Sequence, residues 1–129
     1  MSKPIHQEVV IQASPKQVYK ALTDAKEFSA FTGGAPATIE RDAGGAFSCF
    51  GGMVVGRNVE LVPDRRVVQA WRAGNWPEGV YSIVRFELSA QGSATKLVFD
   101  HDGFPDDQRP HLEGGWQAMY WGPLSKHLA

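Results

Sequence analysis

His101 ends an alternating run in which Thr95, Leu97, Phe99 and His101 hold one parity and Ala94, Lys96, Val98 and Asp100 the other. A period of two marks a strand, so the imidazole shares a side with Leu97 and Phe99. In apolar company a histidine can pass protons near neutral pH or offer a bound molecule a hydrogen bond. It can equally tie the strand end to the Asp102-Gly103 turn or to a following helix, and the spacing supplies no second ionisable group to complete a catalytic set. Aromatic residues give a second candidate chemistry. Trp71, Trp76, Trp116 and Tyr120, with Phe31, Phe86, Phe99 and Met119, can wall a small-molecule cavity, where apolar surfaces carry a few polar groups, or can fill a core. Trp76 sits between Asn75 and Pro77, in the turn where a lid would lie. Arg57 shares parity with Val55, Val59 and Leu61. Turned inward, its guanidinium would need Glu40, Asp42, Glu60 or a ligand's acid group; otherwise it extends to the rim.

Other chemistries lack their patterns. The four histidines, His6, His101, His111 and His127, show no H-x-x-x-H or H-x-H spacing, so no metal site is expected. Ser14, Ser48 and Cys49 have no nucleophile context such as G-x-S-x-G. Gly44-Gly45 and Gly51-Gly52 precede strands and read as hairpin turns, not phosphate loops. No cofactor is called for. The 13 Lys+Arg against 14 Asp+Glu leave no basic excess for nucleic acid. Apolar runs stay far below the ~20 residues of a membrane span, and no leader opens the chain. A lone Cys49 permits no intrachain disulfide, which fits a reducing, cytoplasmic setting.

The elements that must position these residues can be read in order. The 129 residues suit a single domain. A first strand spans 5–11. Ser14-Pro15 then starts a helix, with Ser14 free to accept from an orphan N–H and Pro15 lacking one to waste. Val18, Ala21 and Leu22 give its apolar stripe, and Phe28 with Phe31 close a second helical segment before Gly33-Gly34. Six strands follow, over 36–41, 46–50, 54–62, 66–72, 81–88 and 95–101. Short turns separate them, which implies an antiparallel meander. Asp106 and Asp107 can cap a last helix over about 106–128, reaching roughly 34 Å at ~1.5 Å per residue. At 100° per residue Leu112, Trp116, Met119, Tyr120, Pro123 and His127 share its inner face. Pro123 should kink or end that helix, and Trp121 falls nearly opposite the inner face.

Strand, two helices, six antiparallel strands and a long C-terminal helix make an α+β helix-grip arrangement, and here the chain resembles the START-like, or SRPBCC, superfamily. It is most similar to the branch related to the C-terminal domain of the heat-shock-protein-90 ATPase activator. The matching residues are Ala13-Ser14-Pro15 with Val18 and Leu22, Gly56, Val62-Pro63, Val67-Val68 and Trp71-Arg72. They continue through Phe86-Glu87-Leu88, Thr95 to His101, Gly103-Phe104-Pro105 and Gly115-Trp116. The resemblance covers nearly the whole chain. It departs at Gly122-Pro123, where the family's helix runs through, and at 31–35, Phe-Thr-Gly-Gly-Ala in place of a Trp-Phe-type run; both bear on the cavity mouth.

The resemblance implies several kinds of activity and no shared catalytic signature. The leading expectation is a small hydrophobic or amphipathic ligand held between the last helix and the sheet. A chaperone-associated interaction module is the alternative, with an outward Trp121 as anchor for a partner or a second copy. A cyclase- or hydratase-type enzyme using His101 is the third.

Overall fold

The computed structural model describes residues 3–129. Strand β1 (Ile5–Ile11) leads into helices α1 (Pro15–Thr23) and α2 (Ala25–Phe31). Both helix starts follow from their caps. Ser14 Oγ accepts from Gln17 N–H while Gln17 Oε1 accepts from Ser14 N–H, a reciprocal capping box. Asp24 accepts from the N–H groups of Lys26 and Glu27. The sheet then runs β2 (Thr38–Ile39), β3 (Ala46–Cys49), β4 (Val54–Val62), β5 (Arg66–Ala73), β6 (Ser82–Gln91) and β7 (Ala94–Asp102). Its seven strands are ordered β1-β7-β6-β5-β4-β3-β2, each pair antiparallel. The meander expected from the turns is therefore the observed one, closed by β1 returning beside β7.

One face of the sheet is buried under the helices. Ser82, Val84, Phe86 and Leu88 on β6 and Thr95, Leu97, Phe99 and His101 on β7 all point into it. The other face carries a lattice of charges: Arg66 bonds Glu60 and Glu87, Arg85 bonds Asp100, and His6 lies between Asp100 and Glu8. Strand β4 departs from the apolar-parity expectation. Its inward residues are Val54, Gly56 and Asn58, and Arg57 is exposed, its Nη1 donating to Gly44 O at 2.9 Å. Gly56 is small for a reason, since a Cβ there would stand 1.9 Å from Ala70 O and 2.7 Å from the Phe47 ring. Asn58 is buried because it is bonded: its Nδ2 donates to Glu40 O and its Oδ1 accepts from Gln69. A register shift between Asn58 and Glu60 then turns the strand and leaves Val59 exposed.

The C-terminal helix is where the sequence reading needs its main correction. Asp106 and Asp107 lie in a 3₁₀ turn, Asp106–Gln108, ahead of α3 (Arg109–Trp116), whose first turn holds Pro110. Five residues, Gln117–Trp121, then form a π turn, and α4 (Gly122–His127) continues beyond it. Pro123 neither ends the helix nor stands in a regular coil. In an α-helix its ring would press on the carbonyl four residues back and its missing N–H would leave that carbonyl unbonded. The wider turn accommodates it, and Gly122 N–H bonds the carbonyl of Gln117, five residues earlier. The extra residue also rotates the side chains around the helix axis. Trp121, expected outside, is 2 % exposed and packs on Phe99 at 5.2 Å, its Nε1 donating to Gln7 Oε1 at 2.6 Å. Met119, expected inside, is 47 % exposed. No helix among the described residues is long and apolar enough to cross a membrane.

Candidate functional site

Trp116 divides the space beneath the helix into two parts. On one side it is packed shut. Its ring centroid lies 4.3 Å from that of Phe99 and 4.4 Å from Tyr120, and Phe86 lies 5.2 Å from Phe99. Phe31 belongs to the same interior, 4.9 Å from Phe28 and 6.3 Å from Tyr120. The roomy enclosed hollow expected between helix and sheet is absent here because these rings interdigitate at near-contact spacing.

His101 lies within this sealed part. Trp116 Nε1–H, which can only donate, points at His101 Nδ1 at 3.1 Å. Nδ1 is thus the acceptor, and Nε2 carries the proton and donates to Ser82 Oγ at 2.7 Å. Ser82 passes its own hydrogen to Trp71 O at 2.9 Å. Every polar atom in this chain of three side chains is used, and no ring nitrogen remains for a substrate. Burial pushes the imidazole down to about 3 from its ordinary 6.5, so it is neutral at physiological pH. The geometry makes His101 a tie between β7, β6 and the helix. Ser82 carried a readable signal: it is the one hydroxyl on a face shared with Val84, Phe86 and Leu88, and the β6–β7 register sets it diagonally from His101.

On the other side of Trp116 a groove of about 290 Å³ remains open. Its helix wall is Leu112, Gly115, Trp116, Met119 and Tyr120, and its sheet wall is Val54, Trp71 and Ala73. Phe50 and Met53 also line it, while Asn75, Gln108 and His111 supply polar groups among the lining residues. Phe50 reaches this position from a left-handed backbone, φ +54°, a conformation costing a non-glycine residue on the order of 1–3 kcal/mol. Its ring is held against Phe28 at 5.6 Å and Tyr120 at 5.8 Å.

Of the residues singled out by sequence, Trp71, Trp116, Met119 and Tyr120 meet at this groove. Phe31, Phe86, Phe99 and His101 are in the sealed interior, and Arg57 is outside both. Trp76 lies outside the groove lining. It is 5 % exposed and packed edge-on against Trp71 at 5.6 Å, its loop held by Arg72, which donates to the carbonyls of Trp76, Pro77 and Val80. Phe50, Met53, Gly115 and the polar lining residues escaped the sequence reading because they converge only through the β3–β4 turn and the helix.

Behind the groove wall the indole nitrogens of Trp71 and Trp76 are buried; that of Trp76 has no hydrogen-bond partner, and that of Trp71 is directed at Tyr120. The Tyr120 phenol is pushed well above its usual value, first by burial and then by the Cys49 thiol, while the contact from the Trp71 indole N–H to the phenol opposes the rise. Cys49 itself is pushed up to about 12 by burial, which keeps it a thiol and not a nucleophile. Among the described residues no three His, Cys, Asp or Glu side chains converge as metal ligands would.

Seven antiparallel strands gripping a long C-terminal helix, with aromatic residues between, define a START-like, SRPBCC-type domain. The chain belongs to the family of Activator of Hsp90 ATPase homolog 1-like proteins, whose profile matches residues 12–129. It is 34% identical over 108 residues to the human Activator of 90 kDa heat shock protein ATPase homolog 1, covering 84% of this chain and 32% of that protein. It is 36% identical over 107 residues to the Dictyostelium discoideum homologue, covering 82% and 28%. The chain thus spans about a third of the length of these curated relatives. Among solved structures, an HSP90 activator from Plasmodium falciparum superposes with a TM-score of 0.88 at 24% identity, covering 95% of this chain and 94% of that one. The Aha1 dimer from Colwellia psychrerythraea gives 0.82 at 22%, covering 98% and 96%.

Proposed function

We propose that this chain is a protein-interaction domain acting on a chaperone ATPase of the 90-kDa heat-shock class. The observation that carries this reading is the 34% identity, spread over 84% of the chain, to a human protein named as an activator of that ATPase. Trp121 cannot be the docking anchor, being buried. The large apolar side chains the surface does offer include Met53 and Met119, 69 % and 47 % exposed, both at the groove. Flexible thioethers of this kind adapt readily to a partner's surface. The test is ATP turnover by the 90-kDa heat-shock protein of the same organism, with and without saturating amounts of the chain. A several-fold rise, with a complex visible by sedimentation, is expected. Unchanged turnover together with no complex would discard the reading.

A second reading, binding of a small apolar or amphipathic molecule, is favoured by the groove itself. Its ≈ 290 Å³ sits at the lower end of the ~300–1,000 Å³ typical of ligand sites. Burying ~300 Å² of a guest's apolar surface would contribute on the order of 7 kcal/mol before ordering costs, which sets affinity at micromolar or weaker. The two readings are compatible, since a guest would change the surface a partner meets.

A further inference from the structure

The helix wall of the groove changes character along its length. At the start of α3, Gln108 and His111 stand about one helical turn apart, and Asn75 of the β5–β6 turn joins them in the lining. Beyond them the wall is apolar as far as Met119, which a rise of ~1.5 Å per residue sets about 12 Å from His111 along the axis. In the middle of that stretch is Gly115, where a Cβ would meet nothing within 4 Å, so the missing side chain leaves room beside Trp116. None of the three polar side chains has a hydrogen-bond or ion-pair partner among the described residues.

All three can donate, through the amides of Asn75 and Gln108 and the ring N–H of His111. His111 is also the one lining residue that can become a cation, and neither Asp nor Glu lines the groove. The neighbouring carboxylates lie outside the lining: Glu113 is paired with Arg109 at 3.2 Å, and Asp106 and Asp107 belong to the 3₁₀ turn ahead of the helix. A donor bonds an ionised acceptor about twice as strongly as a neutral one. Asn75 and His111 are exposed, so an ionised group bound between them keeps part of its water and avoids most of the cost of burying a charge.

Resting on the reading of the groove as a ligand site, we infer that its guest is an amphiphilic acid, with a carboxylate held at the start of α3 by His111, Gln108 and Asn75 and an apolar tail lying over Gly115 toward Met119. The head is chosen by the donors at one end of the groove, and the tail by the apolar wall that follows them.

The experiment uses the full chain with ¹³C-labelled methionine methyl groups, Met53 and Met119 reporting on the groove, and three probes of one tail length at neutral pH: octanoate, octanol and octylammonium. Octanoate should bind roughly three- to tenfold more tightly than octanol, the worth of one net hydrogen bond at a water-exposed site, and octylammonium should bind weakest. Octanoate and octanol should both move the Met53 and Met119 methyl signals. His111→Ala, at an exposed position, should cut the preference for octanoate over octanol to below about twofold. Gly115→Leu, which needs no room from the core, should abolish binding of both. Equal affinities for octanoate and octanol, or a preference untouched by His111→Ala, would overturn the acid assignment while leaving the groove as a site. Tightest binding by octylammonium would overturn it too. No binding by any probe, methionine signals that never move, or binding untouched by Gly115→Leu would overturn the groove reading and this inference together. If Gly115→Leu fails to fold, the methionine shifts in the unaltered chain and the His111→Ala comparison still decide.

Discussion

The two sides of Trp116 contrast sharply in how completely they are used. Toward Phe99 and His101 the rings touch, and each polar atom of the His101–Ser82 chain has a partner. Toward Met119 and Gly115 there is open volume and, at Phe50, a backbone held at φ +54°. Folding requires the first arrangement and gains nothing from the second. Unfilled space on one side of a shared residue is where the domain has room for something other than its own packing.

The largest expected effect breaks the sealed side. Phe99→Ala removes a fully buried ring at the centre of the stack and should lower unfolding free energy by ~3–5 kcal/mol in denaturant titration. A loss under ~1 kcal/mol, far below that range, would mean the rings are not a close-packed unit. The second effect is pH dependence. His101 has a folded-state value of about 3 against an unfolded 6.5, so its unprotonated form is favoured by folding. Its contribution is fully present above pH 6.5 and is lost as pH falls toward 3, with a slope of at most ~1.4 kcal/mol per pH unit. His101→Asn should flatten that acid limb, and an unchanged limb would show that the ring protonates freely in place. On the charged outer face His6 works the other way. Its hydrogen bonds to Asp100 and then Glu8 raise its pKa, so whatever it contributes is present at low pH and lost as pH rises through the raised value. The smallest effect sharpens the open side. Gly115→Ala should add ~0.5–1 kcal/mol of stability through helix propensity, since its Cβ meets nothing. Destabilisation by that change would mean the groove is closed in solution.

Much of this architecture was legible in the residues, and the failures have physical causes. Strands β6 and β7 declared their inner faces because each inward position is apolar or a bonded Ser, Thr or His. Ser14-Pro15 declared a helix start because the cap chemistry is local. Strand β4 misled because its inner positions after Val54 are Gly56 and Asn58, dictated by the Phe47 ring and by bonds to Glu40 and Gln69, while Val55, Val59 and Val62 lie partly in solvent. Trp121 misled because 100° per residue does not hold through a π turn, although Pro123 was the visible warning. The groove was partly legible. Trp71, Trp116, Met119 and Tyr120 could be nominated by type, but empty space is made by absent atoms, and Gly115 contributes by lacking a side chain.

The stretch from Gln117 to Trp121 splices two rods out of phase. Upstream of the splice, Leu112 and Gly115 serve the groove; downstream, Leu124 is buried and His127 reaches Glu27 at 3.1 Å on α2. Adding or deleting one residue there would act as a dial, turning the distal rod about its axis while the proximal one stayed put. One end of the grip can thus be re-aimed without disturbing the other.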